Sequence, residues 1–365
     1  MSFFGNLFGG GTKAKGKSVI GLDIGSSSLK VVQLRRDGET AVLETYGELA
    51  LGPYTGGESG TATNLPADTI TTALKDLLRE ANVTSLDAGL SIPFSRSLLT
   101  LITLPRAADE QAQKTMIQLE ARKYIPVPVS EVQLDWFILP DAVDEGAALP
   151  TTIRVLVVAV HNDELALLQN VTQGAQLATT FYEIEIFSTV RSVVDEPIKP
   201  VMVLDIGASA TKVYVVERGV VALSHNIPQG GQDVTRTIAT AHGLTVNKAE
   251  SLKKQHGFNP NDQEHYARKT IELVFSRIFD EAKRVRMQFE TTQGRGIATI
   301  VLTGGGGVTK SLAEYASTFF AMQVVLADPF GKVETPAFMR PVLSEIGPEF
   351  AVAVGLALRK LEEGG

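Results

Sequence analysis

A ten-residue segment occurs twice in the chain, and this repeat constrains the fold more than any other feature. Residues 22–31 read Leu-Asp-Ile-Gly-Ser-Ser-Ser-Leu-Lys-Val, and residues 204–213 read Leu-Asp-Ile-Gly-Ala-Ser-Ala-Thr-Lys-Val. Seven of the ten positions are identical, and the second copy starts 182 residues after the first. Apolar runs flank a glycine-containing turn in each copy, which predicts a β-hairpin. An offset as long as a domain indicates that two halves of the chain share one topology.

The repeated hairpin carries groups that can bind a phosphate. Gly25 and Gly207 permit a tight turn whose backbone N–H groups approach an anion closely. Hydroxyl donors in the turns and a lysine after each turn can add to these N–H groups: Ser26, Ser27, Ser28, Ser209, Lys30 and Lys212. One copy alone is more typical of an ordinary glycine-turn hairpin. Two copies facing each other can hold a polyphosphate from both sides, so the pair predicts phosphate binding.

Two further features extend this prediction to a nucleotide with a metal ion. Asp23 and Asp205 lie at the strand ends, where carboxylates can hold the water shell of Mg²⁺. An apolar strand at 297–303 runs into four glycines, at a place where backbone can approach a base and a ribose. These glycines are Gly304, Gly305, Gly306 and Gly307.

Two helices are predicted in the second half of the chain. In the helix at 246–256, three charged residues share one face by their spacing: Glu250, Lys253 and Lys254. Taken alone, a solvated salt-bridge face explains this trio equally well. The helix within 257–293 repeats apolar residues every three or four positions, at Ile271, Val274, Ile278, Ala282, Val285 and Phe289. We predict that this face packs in a core, because the pattern is not sustained as the heptads of a coiled coil.

Composition excludes several classes of protein. The chain has no Cys, which excludes disulfides, thiolate zinc sites and a cysteine nucleophile. Its net charge of −7 and pI near 5.4 argue against a basic face for nucleic acid. The five His lack metal-ligand spacing, and no apolar stretch reaches the about 18 residues of a membrane span. We expect residues 1–17 to be a flexible leader, with a weak membrane contact as the alternative, through Phe3, Phe4, Leu7 and Phe8.

The hairpins, the four-glycine loop and the Glu-x-x-Lys-Lys helix resemble the superfamily of actin, the sugar kinases and the heat-shock chaperone ATPases. Four further segments resemble the PilM family, actin-like proteins of type IV pilus assembly, and the related FtsA family. They are Glu-Ile-Phe at 185–187, Ile-Pro-Gln-Gly-Gly-Gln-Asp at 227–233, Ala-Asp-Pro-Phe at 327–330 and Phe-Ala-Val-Ala-Val-Gly-Leu-Ala-Leu-Arg at 350–359. The resemblance covers about residues 18–361.

The resemblance implies an α/β, actin-like ATPase fold, in which two duplicated domains enclose a nucleotide cleft. Both sheets should be mixed, since hairpins precede crossover helices. The first domain would comprise 18–90, 178–198 and 342–361, and the second 199–341. Residues 91–177 would form an inserted interaction subdomain of the FtsA type.

The resemblance also assigns roles in the cleft. ATP and Mg²⁺ are the implied cofactors, with Asp23 and Asp205 beside the metal, and Glu185 and Asp205 as the acidic candidates for catalysis. The implied nucleotide-binding residues are Gly25, Ser26, Ser27, Ser28, Lys30, Gly207, Ala208, Ser209, Ala210, Lys212, Gly230, Gly231, Glu250, Lys253, Lys254, Gly304, Gly305 and Gly306.

The insert is predicted to alternate strands and helices. Strands are expected at 97–104, 132–139, 153–160 and 179–186, and helices at 107–124 and 162–176. We expect a loop at 141–150, and an exposed loop without readable chemistry at 52–65. The strand edge at 98–104, between Arg96 and Arg106, can accept an extended peptide, although an insert of this kind can also simply cover its domain.

These features together predict a cytoplasmic, nucleotide-switched scaffold with slow ATP hydrolysis where hydrolysis is retained. The resemblance implies that its partner is the short cytoplasmic tail of a PilN-like membrane protein, which would hold it at the inner membrane. Other pilus assembly components are further candidate partners, and self-association is a further candidate property. Nucleic acid is not expected as a partner. One alternative is a small-molecule kinase, although no sugar-binding loop is recognisable. The other is an FtsA-type division protein, although the chain ends without a linker and a terminal amphipathic helix.

Overall fold

The fold is described from a computed structural model, which covers residues 16–363 except 59, 140–149, 196–198, 260 and 262–265. The apolar residues of the expected leader and most of the loop expected at 141–150 lie outside the described residues. The strands are β1 (Ser18–Ile24), β2 (Ser28–Asp37), β3 (Thr40–Ala50), β4 (Asp87–Ile92), β5 (Ser97–Pro105), β6 (Val132–Ile138), β7 (Thr152–His161), β8 (Ala178–Ile184), β9 (Val201–Ile206), β10 (Thr211–Glu217), β11 (Val220–Ile227), β12 (Thr299–Thr303) and β13 (Val324–Leu326).

The helices lie between short groups of strands along the chain, as is usual where crossover connections cover a sheet. They are α1 (Ala67–Glu80), α2 (Glu110–Ala121), α3 (Asn162–Gly174), α4 (Glu185–Val193), α5 (Gly231–His242), α6 (Val246–His256), α7 (Tyr266–Gln293), α8 (Leu312–Phe320), α9 (Arg340–Ile346) and α10 (Ala351–Glu363).

The two five-stranded sheets have the same topology. The first sheet has the order β3-β2-β1-β4-β8, and the second sheet has the order β11-β10-β9-β12-β13. In each sheet the hairpin strands are antiparallel, and the two strands on the other side of the first hairpin strand run parallel to it. The register is also repeated, since Asp23 lies opposite Lys30 and Asp205 lies opposite Lys212. The predicted duplication and the mixed sheets are therefore confirmed.

A separate small sheet, β5-β7-β6, is built from residues of the predicted insert. The predicted strands and helices of this region are present, with ends that differ by a few residues. Helix α2 covers one face of the small sheet, where Ile117 packs with Ile102 and Val155. The other face, which includes Val158, joins a core cluster that contains residues of both large sheets and of α1 and α3. The expected domain boundaries stay a prediction.

Helix α7 is a core helix of the second half. The six apolar residues predicted for its inner face are all buried in the cluster that packs against the second sheet, namely Ile271, Val274, Ile278, Ala282, Val285 and Phe289. Burying each large aliphatic or aromatic side chain contributes about 1.5–3 kcal/mol. The inner face is therefore occupied by the fold itself, which rules out a coiled-coil seam along these residues.

One run of helical turns, Ala337–Glu362, has the length and composition of a membrane span. Its most apolar window is 61% buried inside the protein, as in the core helix of a soluble protein. Ala353, Val354 and Ala357 pack against Val19 and Val32 of the first sheet. The run is therefore weak evidence for a membrane helix.

Candidate functional site

A cleft of about 630 Å³ is lined by the loops of both hairpins. This volume is in the range of sites that hold small molecules. The cleft brings together nearly all of the predicted site residues, from Asp23 in β1 to Gly306 after β12. Gly230 is the exception, since it does not line the cleft. It packs against the second hairpin loop, where a side chain on it would lie 2.5 Å from the Gly207 carbonyl oxygen.

The two hairpin loops have matching geometry and meet across the cleft. Gly25 N–H donates to the Ser28 carbonyl at 3.1 Å, and Gly207 N–H donates to the Ala210 carbonyl at 2.9 Å. The hydroxyl oxygens of Ser26 and Ser209 lie 3.1 Å apart. The two predicted hairpin loops therefore face each other, and phosphate binding between or beside them stays a prediction.

Three carboxylates and a lysine form the charged centre of the cleft. Lys212 Nζ lies 2.8 Å from Glu185 Oε2 and 3.3 Å from Asp205 Oδ2. Burial raises the pKa of Glu185, and the charges of Asp205 and Asp23 raise it further against the opposing effect of Lys212. The pKa of Lys212 is also raised, since these carboxylates outweigh the effect of burial. The centre therefore favours an additional positive charge.

Asp23 occupies the equivalent position in the first hairpin. Ser91 Oγ donates to Asp23 Oδ1 at 2.8 Å, and the hydroxyl in turn accepts from Ile24 N–H at 3.2 Å. Burial raises the pKa of Asp23 from its ordinary value of 3.8, and the charge of Asp205 acts in the same direction. Ser91, in β4, was not predicted as a site residue because the strand sequence carries no motif.

Glu185 is the first residue of α4, whereas the sequence predicted that it continues a strand. Ile184 is still extended, with φ −62° and ψ 129°, and the helix begins at the next residue. Glu185 Oε1 accepts Phe94 N–H at 2.7 Å while Oε2 accepts Lys212. An acidic residue in the first helical turn interacts favourably with the helix dipole, which supports a helix that begins at Glu185. The carboxylate is thereby fixed in the cleft.

The donor set fits a hydrated Mg²⁺ ion better than a directly bound one. Among the described residues, no group of three or more His, Cys, Asp and Glu has an arrangement that could hold a metal ion. Asp23, Asp205 and Glu185 nevertheless interact electrostatically across the cleft. Mg²⁺ usually keeps several waters and binds through one or two carboxylates plus substrate phosphates. These residues match that pattern.

The start of α5 supports the second hairpin. Gly231 N–H donates to the Gly207 carbonyl and Gln232 N–H donates to the Ala208 carbonyl, each at 2.9 Å. These two helix N–H groups are therefore already used by the fold. The sequence placed Gly231 among the nucleotide-binding residues; it does line the cleft, and its N–H also positions the second hairpin loop.

Helix α6 presents the predicted charged trio to the cleft. Lys253 Nζ lies 2.7 Å from Glu250 Oε2 and donates to the Gly231 carbonyl at 3.2 Å. Burial lowers the pKa of Lys253. The side chain of Lys254 is 75% exposed, at 3.8 Å from Glu250 Oε1. The trio is thus a cleft wall in which Glu250 and Lys253 are anchored and Lys254 reaches solvent.

The first glycine of the four-glycine loop approaches the charged centre too closely for a side chain. A side chain on Gly304 would clash with Asp205 Oδ1, and the backbone there has φ +78°. Gly304 N–H donates to the Pro348 carbonyl at 3.0 Å, which ties the loop to the turn before α10. Glycine at 304 is required by this contact and by this backbone conformation.

Two acidic residues at the cleft were not predicted. Glu48 lies 3.0 Å from Lys30 Nζ, and Lys30 also donates to Ser28 Oγ at 2.7 Å. Burial and the charge of Glu48 raise the pKa of Glu349 to about 7. Glu48 could have been found from the hairpin, because it lies opposite Lys30 in the β2–β3 register. Nothing in the sequence near Glu349 indicates a cleft position.

The loop expected at 52–65 is largely exposed, as predicted, but part of it also forms a wall of the cleft, which the sequence did not indicate. Its residues Gly60, Thr63, Asn64 and Leu65 line the cleft. Leu51 and Gly52 are buried at its start. Gly, Thr and Ser residues are typical of exposed loops, and only tertiary contacts distinguish this one.

Comparisons with known proteins agree with this architecture. A family model described as type IV pilus assembly protein PilM matches residues 21–361. Cell division protein FtsA of Neisseria meningitidis is 24% identical over 388 residues, covering 93% of this chain and 90% of that protein. A solved structure described as the PilM-PilN type IV pilus biogenesis complex is 25% identical, with a TM-score of 0.80, covering 94% of this chain and 98% of the other. MreB5 of Spiroplasma citri bound to AMPPNP, 14% identical with a TM-score of 0.54, covers 97% of this chain and all of its own, and shows the shared fold. The actin-like fold is confirmed.

Proposed function

The chain belongs to the PilM family of type IV pilus assembly proteins, and from this premise we propose that it is an actin-like scaffold of the pilus assembly platform. In this role it binds the cytoplasmic tail of a PilN-like membrane protein and thereby stays at the inner membrane as a peripheral, cytoplasmic protein. The observation that carries the proposal is the similarity to the PilM-PilN complex over 94% of the chain.

The insert offers a surface for the tail peptide. Four of its large apolar side chains are exposed between 36% and 58%: Leu119, Tyr124, Val129 and Ile138. In the described residues, β5 and β6 are the edge strands of the small sheet. An extended peptide can add to a sheet edge through main-chain hydrogen bonds, and apolar side chains beside that edge can select its sequence. We propose that the docking surface lies along α2 and β6, which carry Leu119 and Ile138.

The test is a titration of a synthetic PilN-like tail peptide onto the full chain by calorimetry. We expect Leu119→Glu and Ile138→Glu to weaken binding about tenfold or more each, because hot-spot apolar contacts carry most of the binding energy. Leu273→Glu on α7 is the matched control, since Leu273 is similarly exposed at 49% but lies in the second half. Point variants are preferable to deletion of 91–177, because Leu156, Val158 and Leu168 belong to the main core.

The peptide titration has two adverse outcomes. Equal losses in Leu273→Glu would show that the insert has no special role in docking. An absence of measurable binding to the parent chain, with the peptide shown to be soluble and intact, would contradict the scaffold proposal itself.

We further propose that the cleft binds ATP together with Mg²⁺. The support is the paired hairpin loops, the three carboxylates around Lys212 and the four-glycine loop, all of which line one cleft. The loops and lysines would hold the phosphates, and Asp23 and Asp205 would hold the hydration shell of the ion. When bound, Mg²⁺ supplies charge neutralisation at the phosphates.

Glu185 is the residue we propose for orienting a hydrolytic water. Each of its oxygens accepts one donor, from Phe94 or Lys212, and a carboxylate oxygen has room for a second. We expect Glu185→Gln to keep ATP affinity and to lose turnover about 10²–10⁴-fold. Turnover is measured by phosphate release, with Glu164→Gln as the control, because Glu164 also lines the cleft and also has a pKa raised by burial.

The result of this assay separates two versions of the proposal. Full turnover in Glu185→Gln would transfer the role to Asp205. A parent chain that binds ATP without turnover would be a pure nucleotide switch.

An FtsA-like role is the second candidate, because the Neisseria meningitidis FtsA alignment extends over 93% of the chain. A cell-division actin homologue would be expected to self-associate into filaments with nucleotide. Light scattering with ATP and Mg²⁺, with and without the tail peptide, distinguishes the two candidates. Filaments without peptide binding would favour the FtsA-like role.

A further inference from the structure

The segment Gly60–Leu65 crosses from the first half of the protein to the second. Ala62 N–H donates to Gln232 Oε1 in α5, beside the second hairpin. Thr63 N–H donates to the Ser26 carbonyl at 2.8 Å, and Thr63 Oγ1 donates to the same oxygen at 3.2 Å. The segment, here called the strap, is therefore bonded to both hairpin regions.

The strap is part of the wall of the cleft. Gly60, Thr63, Asn64 and Leu65 line the cleft on its first-half side, and Gln232 lines it on the other. A side chain on Gly60 would lie 3.7 Å from the Glu250 carboxyl carbon, so the strap also lies against α6. A ligand in the cleft would contact the strap and the second half together.

The strap is anchored more firmly at its first-half end. Leu51 N–H donates to the Ser27 carbonyl at 2.9 Å, just before a short 3₁₀ helix, Gly52–Thr55, that precedes the strap. Tyr54 in that helix donates to Asp76 Oδ2 of α1 at 2.7 Å. On the second-half side, the acceptor is a single side-chain oxygen of Gln232, which is 9% exposed. Loss of that oxygen would release the strap from α5 without removing its other anchors.

We propose that Gln232 is a positioning residue that holds the strap across the cleft and slows nucleotide release. This inference rests on the proposed nucleotide binding. A ligand that contacts both halves is retained better by any interaction that favours their closed arrangement. Contacts of this kind act mainly on the dissociation rate.

The test is the release rate of a fluorescent ATP analogue, chased with excess ATP in the presence of Mg²⁺. We expect Gln232→Met, which is similar in volume, to release the analogue about 3- to 10-fold faster, as one hydrogen bond would give. Gln232→Glu keeps an acceptor for Ala62 N–H, so the Ala62 amide should stay protected in it, although the added negative charge beside the cleft should itself weaken binding of the anionic analogue. Gln113→Met is the matched control, since Gln113 is 8% exposed and its Oε1 accepts Ala107 N–H in the insert.

Hydrogen exchange gives a second readout on the same variants. In the parent chain, nucleotide should increase the protection of the Ala62 amide, and in Gln232→Met this increase should be lost. If Gln232→Met binds the analogue and releases it at the same rate as the parent chain, the strap proposal is wrong, while the proposal of nucleotide binding stands. Failure of the parent chain to bind the analogue would overturn both. A faster release shared equally by Gln113→Met would also contradict the proposal, because the effect would then be a general loss of stability.

Discussion

Replacing Asp23 and Asp205 by Asn is expected to lower the Mg²⁺-dependent affinity for ATP by about 100-fold or more. Loss of a residue that orients the shell of a metal ion typically costs 10–100-fold each, and here both hairpins lose such a carboxylate. Glu185 would then be the carboxylate of the charged centre that remains, and it is paired with Lys212 at 2.8 Å. The affinity of the double variant should approach that of the parent chain without Mg²⁺.

The Asp23→Asn substitution should not lower the free energy of unfolding of the unliganded protein. The folded pKa of Asp23 is raised above 3.8, so its contribution to stability is largest below that pH and is lost as the pH rises. At neutral pH the ionised carboxylate therefore costs free energy of folding, and Asn removes this cost. Asn can also still accept the hydrogen bond from Ser91. Weaker ATP binding at unchanged or higher thermal stability is the expected combination.

Calorimetric titration of ATP with Mg²⁺, and again with a chelator, measures the affinity effect. Asp37→Asn is the control, since Asp37 ends the same hairpin away from the cleft and its side chain is 58% exposed. Unchanged Mg²⁺-dependent affinity in the double variant would remove Asp23 and Asp205 from the metal site. The hairpin loops would then have to bind phosphate by themselves.

The duplicated fold could be predicted because its signal is local and repeated. Asp, Gly and Lys recur at fixed spacing in both hairpins, and the register sets Asp23 against Lys30 and Asp205 against Lys212. The strands and helices of the insert could likewise be predicted from short segments with periodic apolar residues. This periodicity depends only on nearby residues, so the predicted and observed elements differ mainly at their ends.

The rest of the cleft depends on contacts between distant parts of the chain. Gln232 and Ala62 are 170 residues apart, and the role of each is visible only once the strap crosses the cleft. Glu349 reaches the cleft because Pro348 accepts Gly304 N–H. Neither contact has a sequence pattern. The start of α4 at Glu185 was missed for a related reason, since a buried strand and a buried helix turn have similar apolar composition.

The segment 350–359 resembles the PilM family in sequence, and the structure shows what this segment contacts. Gly355 lies so close to α4 that a side chain would meet the Ser188 carbonyl oxygen. Arg359, at the end of the segment, donates to Glu183 Oε1 at 2.8 Å and lies over the Phe181 ring. Helix α10 therefore packs directly on the first sheet and also against α4, the helix that carries Glu185 into the cleft.

Glu183→Ala is expected to cause the largest loss of stability, about 3–5 kcal/mol, because breaking a buried ion pair leaves its partners uncompensated. Glu183 is fully buried and accepts from Arg191 at 2.8 and 2.9 Å, from Arg359 at 2.8 Å and from Ser188. The charges of Arg191 and Arg359, with these hydrogen bonds, hold its pKa below 4.5 in spite of burial. A domain has about 5–15 kcal/mol of stability in total, so this variant should be marginally folded.

The loss of stability in Glu183→Ala should depend on pH, in the direction that the lowered pKa of Glu183 sets. Because the folded pKa of Glu183 is below its ordinary 4.5, the stabilisation is present above that pH and is lost as the pH falls through the folded pKa. Urea unfolding at pH 7.5 should therefore separate Glu183→Ala widely from the parent, and the gap should narrow only below pH 4.5. Glu80→Ala is the control, since Glu80 pairs with Arg79 on the surface with a side chain that is 70% exposed. If Glu183→Ala and Glu80→Ala unfold at the same urea concentration, the buried network contributes no net stability and close packing around Gly355 must hold α10 and α4 in place.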